Sequence, residues 1–247
     1  KTKDYQIDIN CDVGEGVAHE QLLYAHISSC SIACGGHTGT MDSIRTSVTD
    51  ALKYGVKIGA HPSYPDPGNF GRVSVSMADS EFENSIRSQI ERLDYVINIQ
   101  GVPLHHIKPH GALYNDLARD LDLSRLFLDA VREYLLNCFL YVPYGSILEE
   151  EAIRQGLRVQ REAFADRNYN NDLSLVPRTD PNALIQEPKA VLDHLVAMVK
   201  NHKVKTVQDE VVEISADTYC IHGDTANSLQ ILAYLSTELP KQNIYLR

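Results

Sequence analysis

Short apolar or alternating runs take turns along the chain with longer segments of helical period. The candidate strands are Tyr5–Cys11, Ser31–Cys34, Val56–Ala60, His105–Lys108, Phe139–Val142, Arg158–Phe164 and Thr218–Ile221. Helical spacing falls between them. Ile44, Val48 and Leu52 share one face of a helix that stops at Gly55. Phe82, Ile86, Ile90, Leu93 and Ile97 mark the next, with Asp79 or Ser80 as its cap. Another starts at Ser124 and carries Phe127, Val131 and Leu135; a later one starts near Pro188 with Val191, Leu195 and Val199. The last runs from Thr225 to Leu239 and ends at Pro240, and residues Val204 to Ile214 read as an inserted β-hairpin. Strands alternating with helices predict a parallel α/β protein. No Pro-, Gly- or Ser-rich linker divides it, so residues 1–247 are expected to form a single domain.

The strands depart from the usual pattern in one respect. Side chains alternate across a strand with period two. Asp8, Asn10 and Asp12 therefore share a face, as do His106, Lys108 and His110; Gln160, Glu162 and Asp166; and Thr218, Cys220, His222 and Asp224. A strand buried on both faces of a doubly wound sheet should be apolar nearly throughout. A barrel interior open at one end offers a place for these polar residues, and in parallel α/β folds sites form at the C-terminal strand ends. The pattern predicts a seven-stranded (β/α) barrel of TIM-like type with a polar mouth.

Charge narrows the partners. Lys plus Arg number 23 and Asp plus Glu 33, a net charge of −10, and no basic run is present. Such a chain lacks the electrostatic footprint of a nucleic-acid binder. No stretch approaches the about 18 consecutive apolar residues of a membrane span. The five cysteines form no CxxC pair and the N-terminal residues show no leader pattern, so a cytoplasmic protein with reduced thiols is expected.

The candidate chemistry lies at the strand ends. Asp8-Ile9-Asn10-Cys11-Asp12-Val13-Gly14-Glu15-Gly16 brings three carboxylates to one of them. They suit general acid/base work or metal binding, or cap the following loop. Cys34-Gly35-Gly36-His37 and Gly59-Ala60-His61-Pro62 follow two further strands, and Arg72 is a candidate carboxylate clamp. His106-Ile107-Lys108-Pro109-His110-Gly111-Ala112-Leu113-Tyr114 is the densest cluster. Its lysine can stabilise an oxyanion, act as a nucleophile if its pKa falls, or pair with Glu162 or Asp166. Asp166-Arg167 and His222-Gly223-Asp224 complete the ring. The histidines match neither HExxH nor any compact ligand spacing, so no tightly bound metal is expected. GxSxG, Walker and GxGxxG motifs are all missing, which leaves the chain without a nucleotide cradle of its own.

Taken in order, Asp8–Gly16, Ile32–Gly35 with His37, Gly59–Pro62, Phe70-Gly71-Arg72, Lys108–Asn115, Phe164–Arg167, Leu175–Arg178 and Cys220–Asp224 resemble the LamB/YcsF family, the A subunit of bacterial-type ATP-dependent 5-oxoprolinase. The resemblance implies a barrel related to the glycoside hydrolase/deacetylase group and conversion of 5-oxoproline to glutamate with ATP cleavage. It also implies B and C partner subunits; because no nucleotide motif is found here, ATP with Mg2+ is expected to be bound mainly by them. On that basis Asp12, Glu15, Lys108, His110, His222 and Asp224 are the expected catalytic residues. His37, His61, Arg72, Tyr114, Asp166 and Arg167 are expected to bind the substrate. Within these sets Asp12 or Glu15 would be the base for water, Lys108 and His110 would stabilise charge, Arg72 or Arg167 would hold the substrate carboxylate, and His222 with Asp224 would protonate the leaving nitrogen. Ser31, Gly36, Thr38 and Asp172-Leu173-Ser174 depart from the common family pattern and bear on which lactam is taken. The alternatives are a metal-dependent, deacetylase-like hydrolase of a carbohydrate amide and a non-catalytic regulatory subunit.

Overall fold

The computed structural model describes residues 3–247. Seven parallel strands form a closed barrel: β1 (Tyr5–Val13), β2 (Ser29–Ala33), β3 (Lys57–His61), β4 (His106–Ile107), β5 (Phe139–Pro143), β6 (Val159–Phe164) and β9 (Thr218–Cys220). Closure comes from β9, which pairs with both β6 and β1. The predicted hairpin is present as β7 (Lys203–Lys205) and β8 (Val211–Glu213), and β10 (Ile244–Leu246) adds to the first residues of β1. Around the barrel lie α1 (Met41–Lys53), α2 (Asp79–Ile99), α3 (Gly111–Leu117), α4 (Leu121–Leu135), α5 (Ile147–Arg154), α6 (Pro188–Asn201) and α7 (Ser228–Glu238). Among the described residues no helix is long and apolar enough to cross a membrane.

Several boundaries differ from expectation for local reasons. The α2 helix begins at Asp79 itself, with Ala78 in the cap position and no side-chain cap. In α4 the cap is Asp120, whose carboxylate accepts from the Leu123 amide, so the helix starts three residues before Ser124. The Ser124 hydroxyl donates to the Leu117 carbonyl instead. On α1, Ala51 takes the buried place and Leu52 is 40% exposed.

The two faces of the strands do different things. Ile7, Ile9, Cys11, Ile32, Ile58, Ile107, Leu140 and Val142 belong to the apolar core shared with the helices. The opposite faces fill the barrel with hydrogen-bonded polar groups. Asp8 accepts from Ser29 and Thr218 hydroxyls, Ser29 pairs with the Tyr141 hydroxyl, and Ser31 pairs with His106. Buried polar groups persist when each finds a partner. Asp8 lies level with Thr218, the first residue of β9, and 3.4 Å from Lys57, the first of β3. Asp8 therefore sits at the N-terminal end of the barrel and not at the mouth that its sequence pattern suggests.

One interior position has no room for a side chain. A Cβ on Gly59 would meet the His106 ring at 2.2–2.4 Å. That ring cannot yield, because it bonds Ser31 and stacks on Tyr141 at 3.8 Å. Gly59→Ala is expected to destabilise the protein by about 1–3 kcal/mol or more, as overpacked cores do. A lower urea midpoint with an unchanged slope would be the signature.

Candidate active site

The site grows from the C-terminal ends of the barrel strands. The β1 ladder delivers Asn10 and Asp12 inward, and the turn after it carries Glu15. Strand β3 ends on His61. Although β4 is only two residues long, the Lys108 amide still donates to the Ala60 carbonyl and the His110 amide to the Pro62 carbonyl. This continued pairing holds Lys108 and His110 in strand-like register. Gly111 then turns with φ +58°, and a Cβ there would strike the Gly71 carbonyl at 2.5 Å. The close approach of these two glycine loops brings the Phe70 carbonyl to His110.

Lys108 is the centre of the arrangement. Only 2% exposed, it lies 2.9 Å from both Asp12 and Glu162 and donates to the Asn10 side-chain oxygen Oδ1 at 3.2 Å. Burial opposes its charge, but Asp12, Cys220 and Glu162 raise its pKa well above the usual lysine value. Two carboxylates at 2.9 Å favour its charged form, which suits charge stabilisation better than nucleophilic attack. Burial alone would raise Asp12, yet His61 and Lys108 beside it hold it well below the usual carboxylate range. Glu15 goes the other way. Burial pushes its carboxyl well up, and the charges of Asp12 and Asp224 add to the effect.

Three imidazoles surround Glu15. His37 Nε2 is 2.8 Å from its Oε1, His110 Nδ1 is 3.8 Å away and His61 Nε2 is 3.9 Å away. His61 Nε2 is also 3.4 Å from Asp12 and 3.0 Å from His110 Nδ1. These ligand-type atoms of Glu15, His37, His61 and His110 all fall within 4.8 Å of one another, and Asp12, Cys220 and His222 form a second such group. Burial drives His37 down to about 3, with the neighbouring His61 adding to the effect.

Across the mouth, Asp166 orients His222. Its carboxylate accepts from the His222 backbone amide at 2.8 Å and lies 3.0 Å from Nδ1, while Phe164 stacks on the imidazole at 5.2 Å. Asp224 does not join this pair. It accepts from Arg72 at 2.7 Å and from Arg178 at 3.3 Å. A cavity of about 820 Å3 opens between these groups. Among the described residues, three buried polar atoms on its lining lack a well-formed hydrogen bond: Tyr114 Oη and Glu162 Oε1, whose side chains are neighbours, and Arg167 Nε.

The sequence profile of the LamB/YcsF family matches residues 7–247. The chain belongs to that family. A lactam utilization protein from Thermus thermophilus is similar at 34% identity and a TM-score of 0.91, covering 98% of this chain and 99% of that one. Two more distant structures share the fold. One is an Enterococcus faecalis protein described as a candidate for cellobiose-phosphate cleavage, with a TM-score of 0.59, 14% identity and coverage of 99% and 97%. The other is a family 4 carbohydrate esterase from Streptomyces lividans solved with acetate, with a TM-score of 0.52, 9% identity and coverage of 100% and 93%.

The residues singled out in this family member divide into two groups. Asp12, Glu15, His61, Arg72, Lys108, His110, Tyr114, Arg167, His222 and Asp224 line the cavity. His37 and Asp166 stand behind it, holding Glu15 and His222. The pairing expected between His222 and Asp224 is not made. Glu162 and Arg178 also line the cavity, in addition to the residues expected from the sequence. The signal for Glu162 was its inward parity on β6; that for Arg178 was its place in the Leu175–Arg178 motif.

Proposed function

We propose that this chain is a subunit of an ATP-dependent 5-oxoprolinase and that its barrel mouth is where the lactam opens. Membership of the family and likeness to the Thermus lactam utilization protein support this reading. The observation that carries it is the cluster of under-satisfied buried groups at the mouth, Tyr114 Oη beside Glu162 and the unpaired Arg167 Nε. A buried polar atom without a partner is costly, so such atoms mark where a ligand is awaited. Tyr114 and Arg167 offer donors and Glu162 offers an acceptor. A carboxylated lactam is complementary: its ring oxygen and carboxylate accept, and its ring N–H donates.

An unstrained lactam is a resonance-stabilised amide. Transfer of the γ-phosphoryl group of ATP to the amide oxygen releases ADP and makes the ring carbon electrophilic. Water adds to that carbon, and Glu15 is the better base for it. Its raised pKa makes its carboxylate the stronger proton acceptor of the two, whereas Asp12 is locked as the Lys108 counter-ion. The ring C–N bond then breaks, and the nitrogen takes its proton from His222, oriented by Asp166. A second water hydrolyses the resulting acyl phosphate to glutamate and phosphate. Lys108 faces the charge that develops on oxygen. ATP with Mg2+ is bound mainly by the B and C partners, because this chain carries no nucleotide cradle. The five cysteines are free and buried, which suits a reducing cytoplasm.

The test is glutamate release from 5-oxoproline by the reconstituted complex. Release should require ATP and all subunits, and should fall about 100-fold or more in Glu15→Gln. Release by this chain alone without ATP, or an unaffected Glu15→Gln complex, would refute the reading.

A further inference from the structure

His61 and His110 present a contradiction that their own hydrogen bonds create. His61 Nδ1 lies 2.7 Å from the Lys108 carbonyl, and His110 Nε2 lies 2.8 Å from the Phe70 carbonyl. A backbone carbonyl only accepts, so both of those nitrogens carry a hydrogen. In the neutral rings the remaining nitrogens, His61 Nε2 and His110 Nδ1, are bare lone pairs. Yet they face each other at 3.0 Å, with Asp12 Oδ2 3.4 Å from His61 Nε2. Either a proton shared between the two nitrogens or a metal ion held by all three groups resolves this clash.

We infer that Asp12, His61 and His110 form a binding site for one divalent transition-metal ion of the zinc, cobalt or iron(II) class. Ligand atoms about 2.0–2.1 Å from one ion, at angles of about 90–110°, lie about 3.0–3.4 Å apart. The observed separations of 3.0 and 3.4 Å match this. Mixed imidazole and carboxylate donors suit these ions better than magnesium or calcium. His37 belongs to the shell behind. It stacks on His110 at 3.6 Å with planes only 9° apart, so the two in-plane lone pairs cannot meet at a single ion. His37 holds Glu15 instead, and Glu15 stands 3.8–3.9 Å from the two ligand nitrogens, within reach of whatever the ion carries. The carbonyl bonds from Lys108 and Phe70 fix both ring orientations, the usual service of outer partners at metal sites. No ligand motif announces the site, because the three residues come from three separate strand ends.

The inference does not depend on the lactam reading, since it concerns binding alone. The experiment is titration of chelator-treated, folded protein with Zn2+ by calorimetry and with Co2+ by visible absorption, followed by X-ray absorption spectroscopy on the wild type. One equivalent should bind per chain, with a shell of nitrogen and oxygen only. His61→Ala and His110→Ala should each weaken binding by more than the about 10- to 100-fold typical of an outer partner, and His37→Ala by no more than that. Lack of stoichiometric uptake, or His110→Ala binding as tightly as the wild type, would overturn the assignment. So would a sulfur scatterer near about 2.3 Å, which would place the ion at Cys220 with Asp12 and His222. The absorption measurement needs no variant, so misfolding of the alanine forms leaves the test intact.

Discussion

Replacing Lys108 with methionine is expected to cost more than any other single change in this molecule, in both stability and activity. The substitution keeps the volume and removes the charge that neutralises Asp12 and Glu162, each 2.9 Å away and buried. Two carboxylates would then face each other inside the barrel without a cation. Breaking a buried ion pair in this way costs about 3–5 kcal/mol. The loss should depend on pH. Without Lys108, burial is less opposed and the folded-state pKa of Asp12 rises above its unfolded value. Such a group contributes stability below the unfolded pKa and loses it as pH rises through the folded one. The deficit should therefore be small near about pH 4–5 and grow towards about pH 8, the range over which a shifted carboxyl titrates. Urea unfolding of wild type and Lys108→Met at about pH 5 and about pH 8 measures it. A deficit equal at both values would contradict the ion-pair account. Adding Glu162→Gln should recover part of the stability at the higher pH, since one of the stranded charges is gone. It should not recover turnover. Loss of a preorganised cation facing developing charge costs about 100- to 1,000-fold in kcat, and the reconstituted complex is the place to read that loss.

Much of this network was legible in the sequence. Period-two parity put Asn10 and Asp12 on one face of β1, aligned Lys108 with His106, and turned Glu162 inward on β6. It worked because those residues lie in or directly beside paired strands. Parity fails where the strand stops. Strand β9 ends at Cys220, so the rule that grouped His222 with Asp224 had no backbone ladder to act on. The chain turns there, the His222 amide reaches Asp166, and Asp224 swings to Arg72 and Arg178. Asp8 shows the reverse limit. Its face was right, but parity does not tell one end of a barrel from the other. Register does, and it pairs Asp8 with the first residue of β9. Short helices such as α3 and α5 offer too few turns for a period to emerge. The meeting of His61 with His110 was also hidden, since a distance across neighbouring strand ends leaves no spacing in the chain.

The two arginines proposed for the substrate carboxylate can now be separated by their surroundings. Arg72 is 41% exposed at its side chain and already paired with Asp224. A solvated, partnered guanidinium gains little from a second anion. Arg167 is 6% exposed, gives one nitrogen to the Val176 carbonyl and leaves Nε unpaired beside the cavity. Burial and the neighbouring Arg178 charge both lower its pKa, so an incoming carboxylate would relieve it. A hydrogen bond to a charged group is worth about 1.5–3 kcal/mol. Arg167→Ala is accordingly expected to raise KM for 5-oxoproline by about 10- to 150-fold, each tenfold being about 1.4 kcal/mol. Arg72→Ala should change it less than about fivefold, in line with the weakness of exposed pairs. Arg167→Lys should fall between, because the charge stays while the planar fork is lost. The discriminating substrate is 2-pyrrolidinone, the same lactam ring without the carboxylate. Wild type and Arg167→Ala should handle it equally poorly, since the group that Arg167 serves is missing. If Arg72→Ala proved the more damaging, or if Arg167→Ala impaired 2-pyrrolidinone as much as 5-oxoproline, the carboxylate would have to be held elsewhere in the mouth.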